Sequence, residues 1–163
     1  MLRVGLGFDV HRFSRGRDLI IGGVRIPNED GLIGYSDADV LVHAIMDALL
    51  GSFSGKDIGQ HFPNTDMEFE GISSIELLAR VGEILRKAGR EIINIDSVIV
   101  MESPKISPYF EEMRENIAKA LGIDNDFISI KATTSEGLGY IGRGEGAACY
   151  AVAMTDSVGK SGK

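Results

Sequence analysis

The sequence predicts an α/β (α+β) fold in which helices pack on one face of a mixed β-sheet. Apolar segments rich in β-branched residues, which are typical of strands, are separated by segments whose apolar residues recur at helical spacing. The chain has 163 residues, the usual size of one domain, and 44% of them are hydrophobic. We therefore expect a single domain over residues 1–157, followed by a flexible tail at 158–163.

The strands are predicted from apolar runs that end at turn residues. The chain begins with an apolar run at residues 2–8, and Gly22-Gly23 between two short apolar runs is typical of a small β-hairpin. A turn is expected at residues 27–31, where Pro, Asn, Asp and Gly occur together. Later strands are expected at residues 92–101, 127–134 and 147–154.

Three helices are predicted, and a glycine follows each of them. They are expected at residues 36–50, 73–88 and 108–121. Ser36 is placed to cap the first helix, with Asp39 three residues later, as in a capping box. Residues 51–72 lack a clear period and predict a long loop, a feature that is usually functional. His61 in this loop is either a further metal ligand or an exposed histidine.

Composition and charge argue against several classes of protein. The formal net charge is −7 and no basic run occurs, which argues against a nucleic-acid partner. Cys149 is the single cysteine, so neither an intrachain disulfide nor a cysteine-rich zinc site is expected. The sequence contains neither an apolar run long enough to span a bilayer nor a leader-like N-terminus, so we expect a cytoplasmic protein without membrane contact.

Asp9, His11 and His43 are candidate metal ligands. Residues two apart in a strand point to the same side, so Asp9 and His11 are expected side by side where the first strand ends. His43 lies on an apolar helix, between Asp39 and Asp47 at a spacing of four. One carboxylate and two imidazoles suit a catalytic zinc ion with an open fourth position, and Asp39 or Asp47 could hold a histidine ring. The alternative is a salt-bridged His11 and an unrelated His43 in a solvated stripe.

The glycine-rich segment at residues 131–146, KATTSEGLGYIGRGEG, is a second candidate site. A predicted strand leads hydroxyl and carboxylate side chains into it: Thr133, Thr134, Ser135 and Glu136. Hydroxyls and free backbone N–H groups bind phosphate oxygens, Arg143 can clamp them, and Lys105 can add a charge. The alternative is a glycine-rich turn between two strands. A phosphate-binding segment near a metal ion is compatible with phosphoryl chemistry.

Five motifs in order carry a resemblance over nearly the whole chain: GFDVHRF, IIGGVRIP, SDADVLVHAIMDALLG, GKDIGQHFPNTD and KATTSEGLGYIGRGEG. The chain resembles the 2-C-methyl-D-erythritol 2,4-cyclodiphosphate synthase family of the non-mevalonate route to isoprenoids. The resemblance implies a homotrimer around a threefold axis, with helices on one face of a four-stranded mixed sheet in each subunit. It also implies active sites between neighbouring subunits.

The resemblance implies a reaction and its cofactors. Such enzymes convert 4-diphosphocytidyl-2-C-methyl-D-erythritol 2-phosphate into the cyclic diphosphate. In this reaction the 2-phosphate attacks the β-phosphorus and CMP leaves. Asp9, His11 and His43 match the ligands of one Zn²⁺, and Glu136 matches a ligand of the Mg²⁺ or Mn²⁺ that bridges the diphosphate. A threefold channel in the family can hold an isoprenoid diphosphate, with Arg143 at its polar end beside Glu145.

The resemblance also implies roles for further residues. Thr134 matches a threonine that polarises the phosphate, and Tyr35 stands where the family commonly has a catalytic histidine. A tyrosine hydroxyl can donate a hydrogen bond but brings no positive charge near neutral pH. The implied substrate-binding residues are Ser36, Asp57, Ile58, Gly59, Phe62, Pro63, Asn64, Thr65, Asp66, Lys105, Thr133, Ser135, Glu136, Tyr140 and Arg143.

Two other functions remain open at this point. A non-catalytic, phosphate-binding or isoprenoid-sensing trimer with the same fold is supported by Tyr35 alone. A metal-dependent phosphohydrolase would need an activated water and a base beside the metal, and no residue in the sequence demands that role.

Overall fold

The computed structural model describes residues 1–53, 56–63 and 65–158. The strands are β1 Arg3–Arg15, β2 Leu19–Ile21, β3 Val24–Ile26, β4 Asp30–Ile33, β5 Arg90–Val100, β6 Ile128–Thr133 and β7 Gly146–Ser157. The helices are α1 Val40–Gly51, α2 Ile58–His61, α3 Ser74–Lys87, α4 Phe110–Leu121 and α5 Gly139–Gly142. Short 3₁₀ turns lie at Met67–Phe69, Ser107–Tyr109 and Asn125–Phe127.

A mixed sheet of five strands, in the order β4-β1-β7-β5-β6, forms the centre of the fold, and β2 pairs with β3 in a separate hairpin. Strands β5 and β6 run parallel, and the other neighbours are antiparallel. The expected mixed sheet and hairpin are confirmed, but the expectation of four strands is wrong. The additional strand β4 pairs with residues 12–15 of β1, and its four residues overlap the expected turn.

The helices α1, α3 and α4 cover one face of this sheet. Helix α1 is buried on nearly all sides, as its apolar sequence predicts: each of its residues except Asp47 and Gly51 is buried. The helix begins at Val40, and the side chain of Asp39 caps it by accepting a hydrogen bond from the backbone N–H of Val42. The expectation that Ser36 caps this helix is therefore wrong, because the chain bends at residues 34–36, has a positive φ of 57° at Ala38 and becomes helical only after Asp39.

Two glycines of β1 let helix α1 lie directly on the strand. A Cβ atom added at Gly5 would lie 1.9 Å from the carbonyl oxygen of Ala48, and one added at Gly7 would lie 1.9 Å from that of Ala44. The backbones of β1 and α1 are therefore in contact, and no other residue type fits at these two positions without moving the helix.

Among the described elements, no helix covers the opposite face of the sheet. Large apolar side chains of β1 and β7 are exposed on this uncovered face: Val4, Leu6, Phe8, Val10, Tyr150 and Val152. The rings of Phe8 and Tyr150 lie against each other, with their centroids 4.7 Å apart. A contiguous exposed apolar patch of this kind is typical of a surface that meets another protein.

The segment expected to be a long loop contains local structure. Helix α2 lies within it, and Asp57 caps this helix by accepting from the backbone N–H of Gln60 at 2.9 Å. An element this short contains too few residues for its apolar side chains to show a helical period in the sequence. Residues 54–55 and 64 lie outside the described residues, as do residues 159–163 of the expected tail. Among the described helices, none is both long and apolar enough to cross a membrane.

We expect Gly7→Ala to destabilise the fold by about 1–3 kcal/mol, because the new methyl group would overlap the carbonyl oxygen of Ala44. The free energy of unfolding from a urea titration measures this change. Gly51→Ala is the matched control, because a Cβ there meets its nearest neighbour at 3.9 Å. Equal stability of the two variants would contradict the close approach of β1 and α1.

Candidate active site

The structure brings the three candidate metal ligands together. The Nε2 atom of His11 lies 2.8 Å from Oδ2 of Asp9, and Nδ1 of His43 lies 3.0 Å from the same oxygen. The two ring nitrogens are 3.1 Å apart. Ligand atoms around tetrahedral zinc, bonded at about 2.0–2.1 Å, lie roughly 3.3 Å from one another. The donor types and the size of this triangle therefore fit a divalent metal.

Strand β1 and helix α1 position these side chains. Asp9 and His11 pair with Cys149 and Ala147 of β7, so both lie within the strand. The expectation that the first strand ends at these residues is wrong, because pairing with β4 and β7 extends it to Arg15. Their placement on the same face follows from the strand period, as expected. His43 projects from α1, which the glycines of β1 hold against the strand.

The second ring nitrogen of each histidine also has a partner. Nδ1 of His11 donates to the carbonyl oxygen of Ile33 at 2.9 Å. Nε2 of His43 faces the hydroxyl of Ser74 at 2.9 Å and that of Ser36 at 3.1 Å. Both rings are therefore held through their outer nitrogens, and a metal at the centre of the triangle would meet the inner nitrogens.

The expectation that Asp39 or Asp47 holds a histidine ring is wrong. Both carboxylates bind backbone N–H groups of neighbouring segments instead. Asp39 accepts from Gly22 and Gly23 of the hairpin, at 2.9 and 2.7 Å, and Asp47 accepts from Ile58 of α2 at 2.8 Å. Sequence reasoning missed Ser74, whose only signal was its position at the start of a predicted helix.

The electrostatics of the triangle favour a cation. Burial by itself would raise the pKa of Asp9, but the hydrogen bonds from His11 and His43 outweigh it and hold that pKa well below its usual range. Burial by itself would lower the pKa of His11, but the hydrogen bond and charge of Asp9 outweigh it, so the pKa is raised. A metal at this centre would take the place of the histidine protons that now face the carboxylate of Asp9.

A cavity of about 220 Å³ opens beside the triangle. Several residues implied by the family resemblance line it: Tyr35, Ser36, Ile58, Gly59 and Phe62. The hydroxyl of Tyr35 donates to the backbone oxygen of Asp66 at 3.3 Å. Pro63, Thr65 and Asp66 follow in an exposed segment, while Asn64 lies outside the described residues.

A second cavity of about 260 Å³ lies at the ends of β5 and β6. Lys105, Thr133 and Thr134 line it, together with Glu102, which sequence reasoning missed. The carboxylate of Glu102 accepts from the backbone N–H and the hydroxyl of Ser135, at 2.8 and 2.9 Å. These hydrogen bonds hold the pKa of Glu102 below its usual range.

Beyond this cavity, the glycine-rich segment presents exposed polar groups. Glu136 is exposed and has a positive φ of 54°, a backbone conformation that is rare outside glycine. Tyr140 is exposed on α5, and Nε of Arg143 donates to Oε1 of Glu145 at 2.6 Å. The hydrogen bond from Arg143 holds the pKa of Glu145 below its usual range.

The two cavities are separated within one chain. Register places them at the same end of the sheet: His11 pairs with Ala147, Ala148 with Val100, and Val100 with Thr133. Three strand spacings therefore separate His11 from Thr133, a distance of about 14 Å. Within the described part of the chain, Thr133 and its neighbours do not join the metal triangle.

The comparisons with known proteins match the whole of this architecture. The model of the YgbB family matches residues 2–156. The chain belongs to the YgbB family. A relative in Pelotomaculum thermopropionicum, named 2-C-methyl-D-erythritol 2,4-cyclodiphosphate synthase, is 55% identical over 160 residues, which cover 98% of this chain and 99% of the relative. The resemblance stated from the sequence motifs is thereby confirmed.

Solved structures of YgbB-like proteins have the same fold. The bifunctional IspDF of Campylobacter jejuni is 42% identical with a TM-score of 0.92, and the match covers 96% of this chain and 42% of that larger protein. IspF of Plasmodium falciparum, solved as a CDP complex, is 31% identical with a TM-score of 0.85, over 97% of each chain.

We expect His43→Ala to weaken zinc binding by at least about 100-fold, because it removes one of three donors, and losing even an outer partner costs 10–100-fold. Competition with a coloured chelator measures the affinity. His61→Ala is the matched control, because this third histidine lies on α2 outside the triangle. Weaker zinc binding in His61→Ala alone would indicate that His61, and not His43, binds the metal.

Proposed function

We propose that this YgbB-family chain converts 4-diphosphocytidyl-2-C-methyl-D-erythritol 2-phosphate into 2-C-methyl-D-erythritol 2,4-cyclodiphosphate and CMP. This makes it a phosphorus–oxygen lyase of the non-mevalonate route to isoprenoids. The observation that carries the proposal is the triangle of Asp9, His11 and His43 beside a cavity, in a chain whose relatives are named for this activity.

The proposed reaction needs no nucleophile from the protein. An oxygen of the substrate's 2-phosphate forms a bond to the β-phosphorus, the bond from that phosphorus to the bridging oxygen breaks, and CMP leaves with the electron pair. The protein must fold a flexible polyanion so that its two phosphates meet, and such orientation can be worth about 7–11 kcal/mol. A divalent metal held by the triangle supplies charge neutralisation at a phosphate oxygen.

We assign Zn²⁺ to the triangle, because two nitrogen donors and one oxygen donor suit this ion. We assign Mg²⁺ or Mn²⁺ to the diphosphate, with the exposed carboxylate of Glu136 as its protein ligand, because hard oxygen donors suit these ions. Lys105 adds a positive charge at the second cavity. These cations allow a chain of net charge −7 to bind a polyanion.

The residues around the metal cavity bind the erythritol part of the substrate in this proposal. Ser36 contacts it from the entrance to α1, Ile58 and Gly59 from α2, and the segment that starts at Phe62 closes the other side. The segment includes Pro63, Asn64, Thr65 and Asp66, and Asp57 caps the helix before it. Tyr35 donates its phenolic hydrogen to a phosphate oxygen, in the position of the family's histidine.

We propose that each active site forms between two subunits. Each cavity is smaller than the range of about 300–1,000 Å³ that ligand pockets usually occupy. The substrate's cytidine and diphosphate therefore occupy the cavity of a neighbouring subunit, where Lys105 and Thr133 bind them and Thr134 polarises the phosphate. The CDP complex of the Plasmodium falciparum structure supports a cytidine nucleotide as the ligand.

We propose a homotrimer, assembled through the uncovered face. Val4 and Leu6 on this face are 60% and 68% exposed, which a monomer in water would not favour. Three such faces around a threefold axis enclose an apolar channel. An isoprenoid diphosphate fits it chemically, with its chain on the apolar side chains and its diphosphate near Tyr140 and Arg143, where Glu145 orients the guanidinium.

Phosphorus NMR tests the reaction itself. Purified protein with substrate, Zn²⁺ and Mg²⁺ should yield CMP and the cyclic diphosphate, while His43→Ala yields neither. His61→Ala should behave like the parent protein with respect to product identity. Inorganic phosphate or linear products would indicate a phosphohydrolase. Intact substrate with metal verified as bound would indicate a binding protein.

Mixed trimers test the site between subunits. His43→Ala and Thr134→Ala should each be inactive alone and regain about a quarter of the parental activity when unfolded and refolded together at equal amounts. The reason is that about three quarters of random trimers contain both variants, and each of these has one intact site in three. Asp9→Ala mixed with His43→Ala is the control and should stay inactive. No recovery in the first mixture would place the whole site within one subunit.

A further inference from the structure

The outer nitrogen of His43 contacts two hydroxyls that differ in their surroundings. Ser36 is half-buried and lines the metal cavity, whereas Ser74, the first residue of α3, is completely buried. The hydroxyl of Ser74 also has a second partner, because it donates a short hydrogen bond to Oδ1 of Asp37. A continuous path of hydrogen bonds therefore runs from Asp37 through Ser74 to the ring of His43.

Asp37 is itself held in place by backbone groups. Its Oδ2 atom accepts from the backbone N–H of Ser74 at 2.8 Å, and its Oδ1 atom accepts from that of Asp39 at 3.2 Å. Ser73, which precedes α3, makes no capping hydrogen bond with its side chain among the described residues. Asp37 therefore satisfies the first backbone N–H of α3 in its place and fixes that helix end against the entrance to α1.

The direction of these hydrogen bonds determines the tautomer of His43. A hydroxyl carries one proton, and Asp37 takes the proton of Ser74, so the serine oxygen can only accept from the histidine. His43 can then donate from Nε2 to Ser74 and keep the lone pair of Nδ1 for a metal, at the place where Nδ1 now faces Asp9 and His11. Without Asp37, Ser74 could donate to Nε2, and the proton would move to Nδ1, where it opposes a metal.

We propose that Asp37 and Ser74 are positioning residues that hold His43 as an Nδ1 ligand of the metal. The inference rests on the proposed metal site and adds residues that lie outside both the triangle and the implied substrate contacts. It also assigns different tasks to the two serines. Because Ser74 alone can hold the ring, the hydroxyl of Ser36 is free to turn toward the substrate.

Metal affinity provides the first test. Ser74→Ala and Asp37→Asn should each weaken zinc binding by about 10–100-fold, measured by competition with a coloured chelator. Ser97→Ala is the matched control, since Ser97 is also a buried serine with a hydrogen bond, to the backbone oxygen of Ser129 at 3.0 Å, and lies on β5 away from the triangle. Zinc affinities equal to that of the control in both variants would overturn the proposal.

The tautomer of His43 in the zinc-loaded protein provides a test that needs no substrate. In zinc-loaded protein labelled with ¹⁵N-histidine, NMR shifts should show the proton of His43 on Nε2 in the parent and in Ser97→Ala. Asp37→Asn should lose this state partly or wholly, because the amide NH₂ group can donate to Ser74, whose own proton then points to Nε2. A change in packing alone would not move this proton.

The outcomes separate this inference from the proposed function. A zinc-loaded parent protein with the proton on Nδ1, or a zinc-loaded Asp37→Asn variant with an unchanged tautomer, would overturn the inference even if the synthase reaction is observed. Ser74→Thr keeps the hydroxyl and should retain the parental tautomer, which provides a second readout if Ser74→Ala does not fold. A parent that shows the expected tautomer but no reaction would overturn only the proposed function.

Discussion

The contact between the backbones of β1 and α1 is the constraint on which the rest of the structure depends. Glycine at positions 5 and 7 lets the carbonyl oxygens of Ala48 and Ala44 lie where side chains would otherwise be. This contact sets the height of His43 above the strand, and so the 3.1 Å between its ring nitrogen and that of His11. A helix displaced by about 1–2 Å would open the triangle beyond the size that a small cation can bridge.

Three aspartates near α1 extend this constraint to the surrounding elements. Asp39 binds the hairpin, Asp47 binds α2, and Asp37 binds the start of α3, in each case through backbone N–H groups. Burial and the charge of Asp37 raise the pKa of Asp39 to about 6, although the backbone hydrogen bonds oppose this rise. Placing carboxylates around α1 therefore costs desolvation free energy. In return, their hydrogen bonds hold the elements that line the metal cavity against α1.

The sequence predicts those parts of the fold that local patterns determine. The helices and most strands follow from apolar period and glycine positions, and Asp9 with His11 follows from the strand period. Strand β4 was missed because Asp30–Ile33 has the composition of a turn and becomes a strand only by pairing with β1. The cap was assigned to Ser36 because both Ser36 and Asp39 are good caps locally. Ser74 was missed because it meets His43 across 31 residues of sequence, through a packing of helices that no local pattern encodes.

The placement of the two cavities bears on why the fold would assemble. Both lie at the same end of the sheet, and two strands separate them, so one chain holds the proposed metal and the proposed nucleotide groups about 14 Å apart. A sheet cannot bring its first and last strands together without closing into a barrel, and here the sheet is open, with β4 and β6 at its edges. A neighbouring subunit, as in the proposed trimer, would remove this difficulty if its β6 edge approached the β1 side of the first. Burial of the uncovered face would then stabilise the same contact that completes the site.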